Sequence, residues 1–427
     1  MSRRMLYRAL AAFPIAAGIA AGVATLPPRA ARAQAPVVPS LPGQYIVTLK
    51  ESVTDPAQAA AELARQHALT LGPIFRAALK GFGAFVPAAR LAALSKDPRV
   101  AAVERDQIFR AFAAFPISTG VDRVDADASA TAQIANDGGT VDVDIAIIDS
   151  GIQTNHPDLN VVGGRNFATF FGSNTSYSDG YGHGTHCAGI AAARDNGPNS
   201  GGTHVVGVAP GARLWAVKVL GNNGSGYTSW VIAGVDWVTD KTKHPPIEVA
   251  SMSLGGGNSP SLLDAIARSV NSGVTYVVAA GNSNTDCQNT SPANSTSPGV
   301  ITVSALADYN GQGGGGAAAT TSYGADDTFA SFSNYGTGDN GVDMAAPGVD
   351  ILSTWRNSGY RRQSGTSMAT PHVAGAAALQ IVKSGGTPAE VKSALLSAAK
   401  AASDAQYGYT GGSKDGTDEP VLYAGGL

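Results

Sequence analysis

Two kinds of hydrophobic patterning run along this chain. Between residues 44 and 106, short β-rich runs alternate with helical spacing. Residues 45–49, 81–86 and 100–104 have strand composition, while Pro56–His67 and residues 88–95 carry Ala, Glu and Leu at helical intervals. This order, strand–helix–strand–helix–strand, predicts a small α+β sandwich. Residues 109–119 read as a linker without periodicity. Beyond it the strands become almost continuously apolar, at residues 143–148, 214–219, 249–253, 274–280 and 301–304. Helical stretches at Thr228–Thr239 and residues 261–271 lie between them. Apolar strands alternating with helices predict a mostly parallel α/β sheet covered on both faces. A long small-residue helix is expected over residues 369–382, and the Gly/Ala-rich residues 312–321 read as a surface loop.

Composition adds a leader and a charge asymmetry. The first 33 residues hold five arginines and no acid, an apolar run over residues 9–26, then Ala31-Arg32-Ala33. This predicts an export signal over residues 1–33, cleaved near Ala33-Gln34, and a secreted, extracellular or periplasmic product. Arg3-Arg4 leaves twin-arginine export open beside the general route. Pro14 and Pro27-Pro28 argue against a stable membrane anchor. After residue 112 the chain has 15 basic and 26 acidic residues, a net of −11. That surface repels phosphate backbones, so nucleic-acid binding is not expected. The chain is long enough, at 427 residues with 44% apolar content, to bury a large core. Two cysteines, Cys187 and Cys287, do not make a disulfide scaffold.

Four motifs sit at the ends of predicted elements. Asp149-Ser150-Gly151 follows a buried strand, where an acid is costly unless it has a partner. His183-Gly184-Thr185-His186-Cys187 opens a helix. The dipole there disfavours an imidazolium, so His183 reads as a neutral base and His186 as a core histidine. Ser367, in Gly365-Thr366-Ser367-Met368-Ala369, enters the long helix, whose free N–H groups can receive a developing oxyanion. Ala279-Ala280-Gly281-Asn282 ends a strand with an amide that can donate to the same charge. Each motif alone is close to an ordinary cap or turn. Together they give the order Asp, His, Ser, the one associated with subtilisin.

These residues resemble the subtilisin family of serine proteases over nearly the whole chain past Ile117. Cys187 after His186, with Ser253-Leu254-Gly255-Gly256-Gly257, is similar to its proteinase K-like branch. Residues 45–106 resemble the family's inhibitory propeptide. The resemblance implies a three-layer α/β fold behind a small α+β propeptide domain. The expected boundaries are residues 34–112 for the propeptide, with its core at 44–106, and 113–427 for the peptidase. It implies Ser367 as nucleophile, His183 as base, Asp149 as its orienting acid and Asn282 as oxyanion donor. Gly224, Ser253, Leu254, Gly255, Ala279, Ala280 and Gly281 would bind substrate. Main-chain pairing with substrate implies broad specificity, and a pocket lined by Ala279, Ala280 and Gly281 implies an apolar or aromatic P1. Self-cleavage is expected at Phe112-Ala113, and the implied partners are protein or peptide substrates and the propeptide, on a monomer.

No cofactor is expected for catalysis. The chain departs from the family where residues 309–327 are inserted, displacing an acid expected to bind structural calcium and leaving Asp308 beside it. Asp158 with Asn196 is the alternative calcium pair. Cys187 is expected to be a buried free thiol near His183. The competing readings are a catalytically inactive binding protein on the same fold, and an α/β-hydrolase esterase. The esterase lacks a Gly-x-Ser-x-Gly elbow around Ser367, and only His372 follows the serine, one turn along the same helix.

Overall fold

The computed structural model describes residues 40–111, 119–134, 140–169, 175–196, 204–338, 341–411 and 414–427. The expected leader and the Phe112-Ala113 bond lie outside these residues. Among the described residues, no helix is long and apolar enough to cross a membrane.

The N-terminal module runs β1 (Ser40–Leu49), α1 (Pro56–His67), β2 (Thr70–Phe75), β3 (Gly81–Phe85), α2 (Ala88–Leu94) and β4 (Val100–Ala111). Helix α1 starts where the Asp55 carboxylate accepts the N–H groups of Ala57 and Gln58, with Pro56 in its first turn. Its Ala59, Ala60 and Leu63 pack on Val47, Phe82 and Leu94 in a core separate from that of the larger body. The four strands are antiparallel, β4-β1-β3-β2. Strand β2 adds to the expected pattern. It carries Gly72-Pro73 and lies at the sheet edge, where a residue without an N–H is tolerated.

The larger body continues α3 (Gly120–Arg123), β5 (Asp144–Asp149), β6 (Val161–Asn166), α4 (His183–Ala192), β7 (Arg213–Lys218), β8 (Ser225–Tyr227), α5 (Thr228–Thr239), β9 (Val249–Met252), β10 (Leu254–Gly257), α6 (Pro260–Asn271), β11 (Thr275–Ala279), β12 (Thr290–Ser291), β13 (Val300–Ala307), β14 (Thr328–Phe329), β15 (Met344–Pro347), β16 (Ile351–Trp355), β17 (Gly359–Gln363), α7 (Thr366–Ser384) and α8 (Pro388–Ala398). Its sheet runs β14-β13-β11-β9-β5-β7-β6, with β15 beside β13. All neighbours are parallel except β14. The strands are apolar throughout because both faces are covered. Ile145 and Ile147 meet the layer of α4 and α7; Ala146 and Ile148 meet that of α5 and α6.

Strand β4 runs further than its apolar stretch, to Ala111, so the expected linker at 109–119 begins as a strand. It lies between two edges of the larger body. Phe109 and Arg110 pair with Gly226 and Ser225 on β8, and Arg110 and Ala111 pair with Gly255 and Leu254 on β10. The backbone groups of two exposed edges are thereby satisfied by a third segment. Carboxylates reinforce the junction. Glu104 accepts from Ser261 N and both serine hydroxyls at the start of α6, and Asp106 from the N–H and hydroxyl of Ser229 at the start of α5. In return, Asp236 on α5 accepts the N–H groups of Arg76, Ala77 and Ala78. Negative groups thus meet the positive ends of two helices.

Arg123 is the largest fully buried side chain. Its Nε lies 2.6 Å from Asp308 and its Nη2 2.9 Å from Asp327, and Nη2 also donates to the carbonyls of Tyr407 and Gly408. One cation therefore joins α3, the inserted loop and the C-terminal segment. Burial pushes the Asp308 carboxyl up to about 6, so its charge depends on the guanidinium. Arg123→Met strands two buried carboxylates, and the expected loss is about 3–5 kcal/mol. Urea unfolding of the chain carrying Ser367→Ala, to prevent self-digestion, measures it; an unchanged midpoint would refute this role.

Candidate active site

The buried end of β5 and the start of α4 meet across the sheet. Asp149 and His183 are both fully buried, and His183 Nδ1 donates to the Asp149 carboxylate at 2.9 Å from each oxygen. Ser150 N also donates to Asp149 Oδ1, at 2.6 Å. With Nδ1 carrying the proton, Nε2 is left as an acceptor with no hydrogen-bond partner among the described residues. Such a nitrogen can take a proton from a hydroxyl. Burial disfavours the imidazolium, but the Asp149 carboxylate and the Cys187 sulfur outweigh it and hold the His183 pKa well above its usual value. The carboxylate works against the helix end, so His183 serves as a base in the state with Nε2 deprotonated. His186 is the core histidine expected: it is fully buried, Nε2 donates to Arg361 O at 2.8 Å, and burial pushes it down to about 3.

Ser367 occupies the second position of α7, whose entry is Gly365. Its hydroxyl donates to the Ser253 carbonyl at 3.1 Å, and its carbonyl accepts from Ser253 Oγ at 2.8 Å and Cys187 Sγ at 3.4 Å. The serine is therefore bracketed by the residue that joins β9 to β10. A hydroxyl turned away from its base is compatible with later proton transfer, because catalytic hydrogen bonds often tighten only with substrate in place. Cys187 is a thiol 3.9 Å from His183 Nδ1, and neither it nor Cys287 is in a disulfide.

Asn282 follows Gly281, whose φ of 109° turns the chain out of β11. The amide is oriented by a residue the motif reading left unassigned. Thr366 N and Thr366 Oγ1 both donate to Asn282 Oδ1 at 2.9 Å, so the NH₂ group is the free end of the amide. Thr366 Oγ1 also accepts Gly281 N at 3.1 Å. Asn334 braces the same turn, donating to Ala280 O and accepting from Ser283 N and Thr285 N. Nothing in the sequence marks Asn334, fifty-two residues downstream. Asp179 was also missed. It accepts Thr185 N inside the first turn of α4, and an Asp four residues before the helix start is a readable cap.

The expected substrate-contacting residues are gathered nearby. Leu254 and Gly255 pair with the N-terminal module, and Ser253 brackets Ser367. Ala279, Ala280 and Gly281 form the end of β11 and its turn. Gly224, with φ 73° against the Tyr181 ring, makes the turn that leads into β8, so the pairing residues are Ser225–Tyr227 just after it.

The calcium candidates do not fit a calcium ion as arranged. Asp158 and Asn196 do meet, but through the amide nitrogen, at 2.7 Å. Asp158 also accepts from His204 Nδ1, Tyr360 Oη and Val205 N. A ring of N–H and O–H donors replaces the oxygen cage that calcium takes. Asp308, Asp326 and Asp327 converge too, but Arg123 and backbone N–H groups of the inserted loop and its flanks fill them.

Residues 141–410 match the sequence profile of the Subtilase family, and residues 44–112 that of Peptidase inhibitor I9. The chain is 38% identical over 404 residues to an extracellular serine proteinase of Thermus sp. (strain Rt41A), covering 87% of this chain and 89% of that protein. It is 36% identical to a cuticle-degrading serine protease of Arthrobotrys oligospora, covering 83% and 85%. The crystal structure of a cold adapted subtilisin-like serine proteinase superposes with a TM-score of 0.55 at 36% identity, covering 71% of this chain and 97% of that one. With the buried Asp–His pair and the serine at a helix start already in place, the chain belongs to the subtilase family of serine proteases, preceded by an inhibitor-type propeptide.

Proposed function

We propose that the chain is an exported endopeptidase of broad specificity, made as a precursor that cuts itself, and that it acts as a monomer. Residues 1–33 would direct export, residues 34–112 would be the propeptide and residues 113–427 the enzyme. Ser367 attacks the scissile carbonyl, His183 takes its proton and returns it to the leaving amine, and Asp149 holds the tautomer and stabilises the imidazolium. Asn282 Nδ2 and the Ser367 N–H receive the oxyanion at the helix end. The chemistry needs no cofactor, so a chelator is expected to leave the rate unchanged.

The observation that carries this reading is the seating of β4. A peptide backbone already lies between β8 and β10, and it runs toward Ser253 and Ser367. Because main-chain pairing reads no side chain, it supports broad specificity. The register supports the cleavage site. Arg110 faces Gly255 and Ala111 faces Leu254, so the paired strand is directed toward Ser253, and a cut after Phe112 would follow directly on it. Ala279, Ala280 and Gly281 would wall its pocket with small apolar groups, which suits an aromatic ring.

Three outcomes test the reading. The matured protein should hydrolyse casein and lose that activity with a serine-directed phosphonylating reagent; no hydrolysis would leave only an inactive binding protein. N-terminal sequencing of the mature form should begin at Ala113, and a start before Asp106 or after Asp125 would contradict the register. Asn282→Ala should lower kcat about 10²–10³-fold with little change in KM, and Thr366→Val should lower it less, in the same direction. The thiol gives a separate check. An organic mercurial should inactivate the mature enzyme slowly, since burial pushes the Cys187 pKa up and keeps thiolate scarce. Cys187→Ala should abolish that sensitivity and Cys287→Ala should not.

A further inference from the structure

We propose that Lys218 and Asp179 are positioning residues for the Asp149–His183 pair, and that their opposite charges set from behind the pH at which His183 takes up a proton. This rests on the reading of His183 as the base.

Lys218 ends β7 as Asp149 ends β5, and the two are register partners on adjacent parallel strands. Partners of this kind are about 4.8 Å apart along the hydrogen-bonding direction and project from the same face. Lys218 is 4% exposed, and its ammonium makes no ion pair among the described residues. It donates instead to the carbonyl of Ser150, the residue after Asp149. A buried ammonium held by one neutral carbonyl is costly unless a nearby field supports it. Burial pushes its pKa down, and Asp179 and Asp149 act against that.

Asp179 is the second half of the device. It is 7% exposed and accepts five hydrogen bonds. Ser150 Oγ, Tyr181 N and Gly182 N reach Oδ1 at 2.9, 2.9 and 2.7 Å, and Thr185 N and Oγ1 reach Oδ2 at 2.9 and 2.7 Å. Ser150 Oγ also accepts Gly184 N at 2.9 Å. The backbone on both sides of His183 is thus tied to the strand end that carries Asp149. Neither Lys218 nor Asp179 hydrogen-bonds the imidazole.

Asp149 from β5 and Cys187 from α4 lie against His183, and the other titratable groups on the elements that meet here are His186 on α4, Lys218 beside Asp149 on β7, and Asp179 in the loop before α4. From α7 comes the hydroxyl of Ser367. Asp149 raises the His183 pKa and His186 stays neutral. Lys218 is the positive charge that opposes this rise, and Asp179 adds to it. At a spacing on the order of 10 Å and an effective dielectric near 20, one such charge is worth about one pH unit.

The test is the pH dependence of kcat/KM of the self-processed enzyme on a chromogenic peptide ending in Phe. Lys218→Gln should move the acid limb up by about one unit, and Lys218→Arg should return it to the wild-type position. Asp179→Asn should move it down. Opposite displacements are not what simple loosening of the fold produces. If Lys218→Gln gives no folded enzyme, Asp179→Asn decides alone, and an unmoved limb overturns the proposal. Limbs unmoved in both variants, or moved in the same direction, also overturn it. A wild-type rate with no acid limb would remove the base reading, and this proposal with it.

Discussion

The Asp149 carboxylate has no exposed surface, and much of the site follows from the need to bury it with partners. An isolated buried carboxylate would protonate, so a donor must stand against it in every state of the molecule. His183 Nδ1 and Ser150 N supply that. Holding the imidazole there requires that the start of α4 be packed closely against the end of β5. Gly151, Gly182 and Gly184 let the backbones approach. A Cβ on Gly184 would collide with the Gly151 carbonyl, and one on Gly182 would enter the Trp355 ring. The glycines flanking each motif are therefore the steric condition for the buried pair.

The same economy of backbone groups explains the propeptide. Strands β8 and β10 are edges with unpaired N–H and C=O groups, and α5 and α6 begin with unpaired N–H groups. Strand β4 satisfies the first set, and Glu104 and Asp106 cover the second. A substrate can replace the strand in the cleft but not the two carboxylates. The inhibitor-type propeptide is thus also held by contacts away from the β8 and β10 edges.

Legibility in the sequence followed the range of the interactions. Helices Pro56–His67 and Thr228–Thr239 are as the spacing predicts, and the parallel sheet follows from strands apolar on both faces. Asp149, His183, Ser367 and Asn282 were legible because each lies at an element end beside the glycines that packing demands. Strands β2, β6 and the β16–β17 hairpin were not, because Gly72-Pro73, Gly163-Gly164 and the mixed polar residues 359–363 carry little strand pattern. Helix α8 was overlooked despite a full capping box at Thr387 and Glu390. Thr366, Asn334 and Lys218 act through partners 49 to 85 residues away, and no local pattern encodes that.

The charges around the site also show why acids alone do not identify a metal centre. Asp308, Asp326 and Asp327 place carboxylate oxygens within reach of one another. In isolation such a set would attract a divalent cation. Here a guanidinium enters from α3, and Tyr309 N, Gly311 N, Gly315 N and Ala317 N come from the inserted loop itself. The planar fork of Arg123 reaches two carboxylates and two carbonyls at once. A metal would need those carboxylate lone pairs, which the loop uses to hold its own glycines in place. The insertion therefore brings both the negative charge and the donors that bind it, and α3 contributes the one cation that completes the set. The deciding residue lies some 185 residues before Asp308, so no spacing rule within the acidic segment could have shown it.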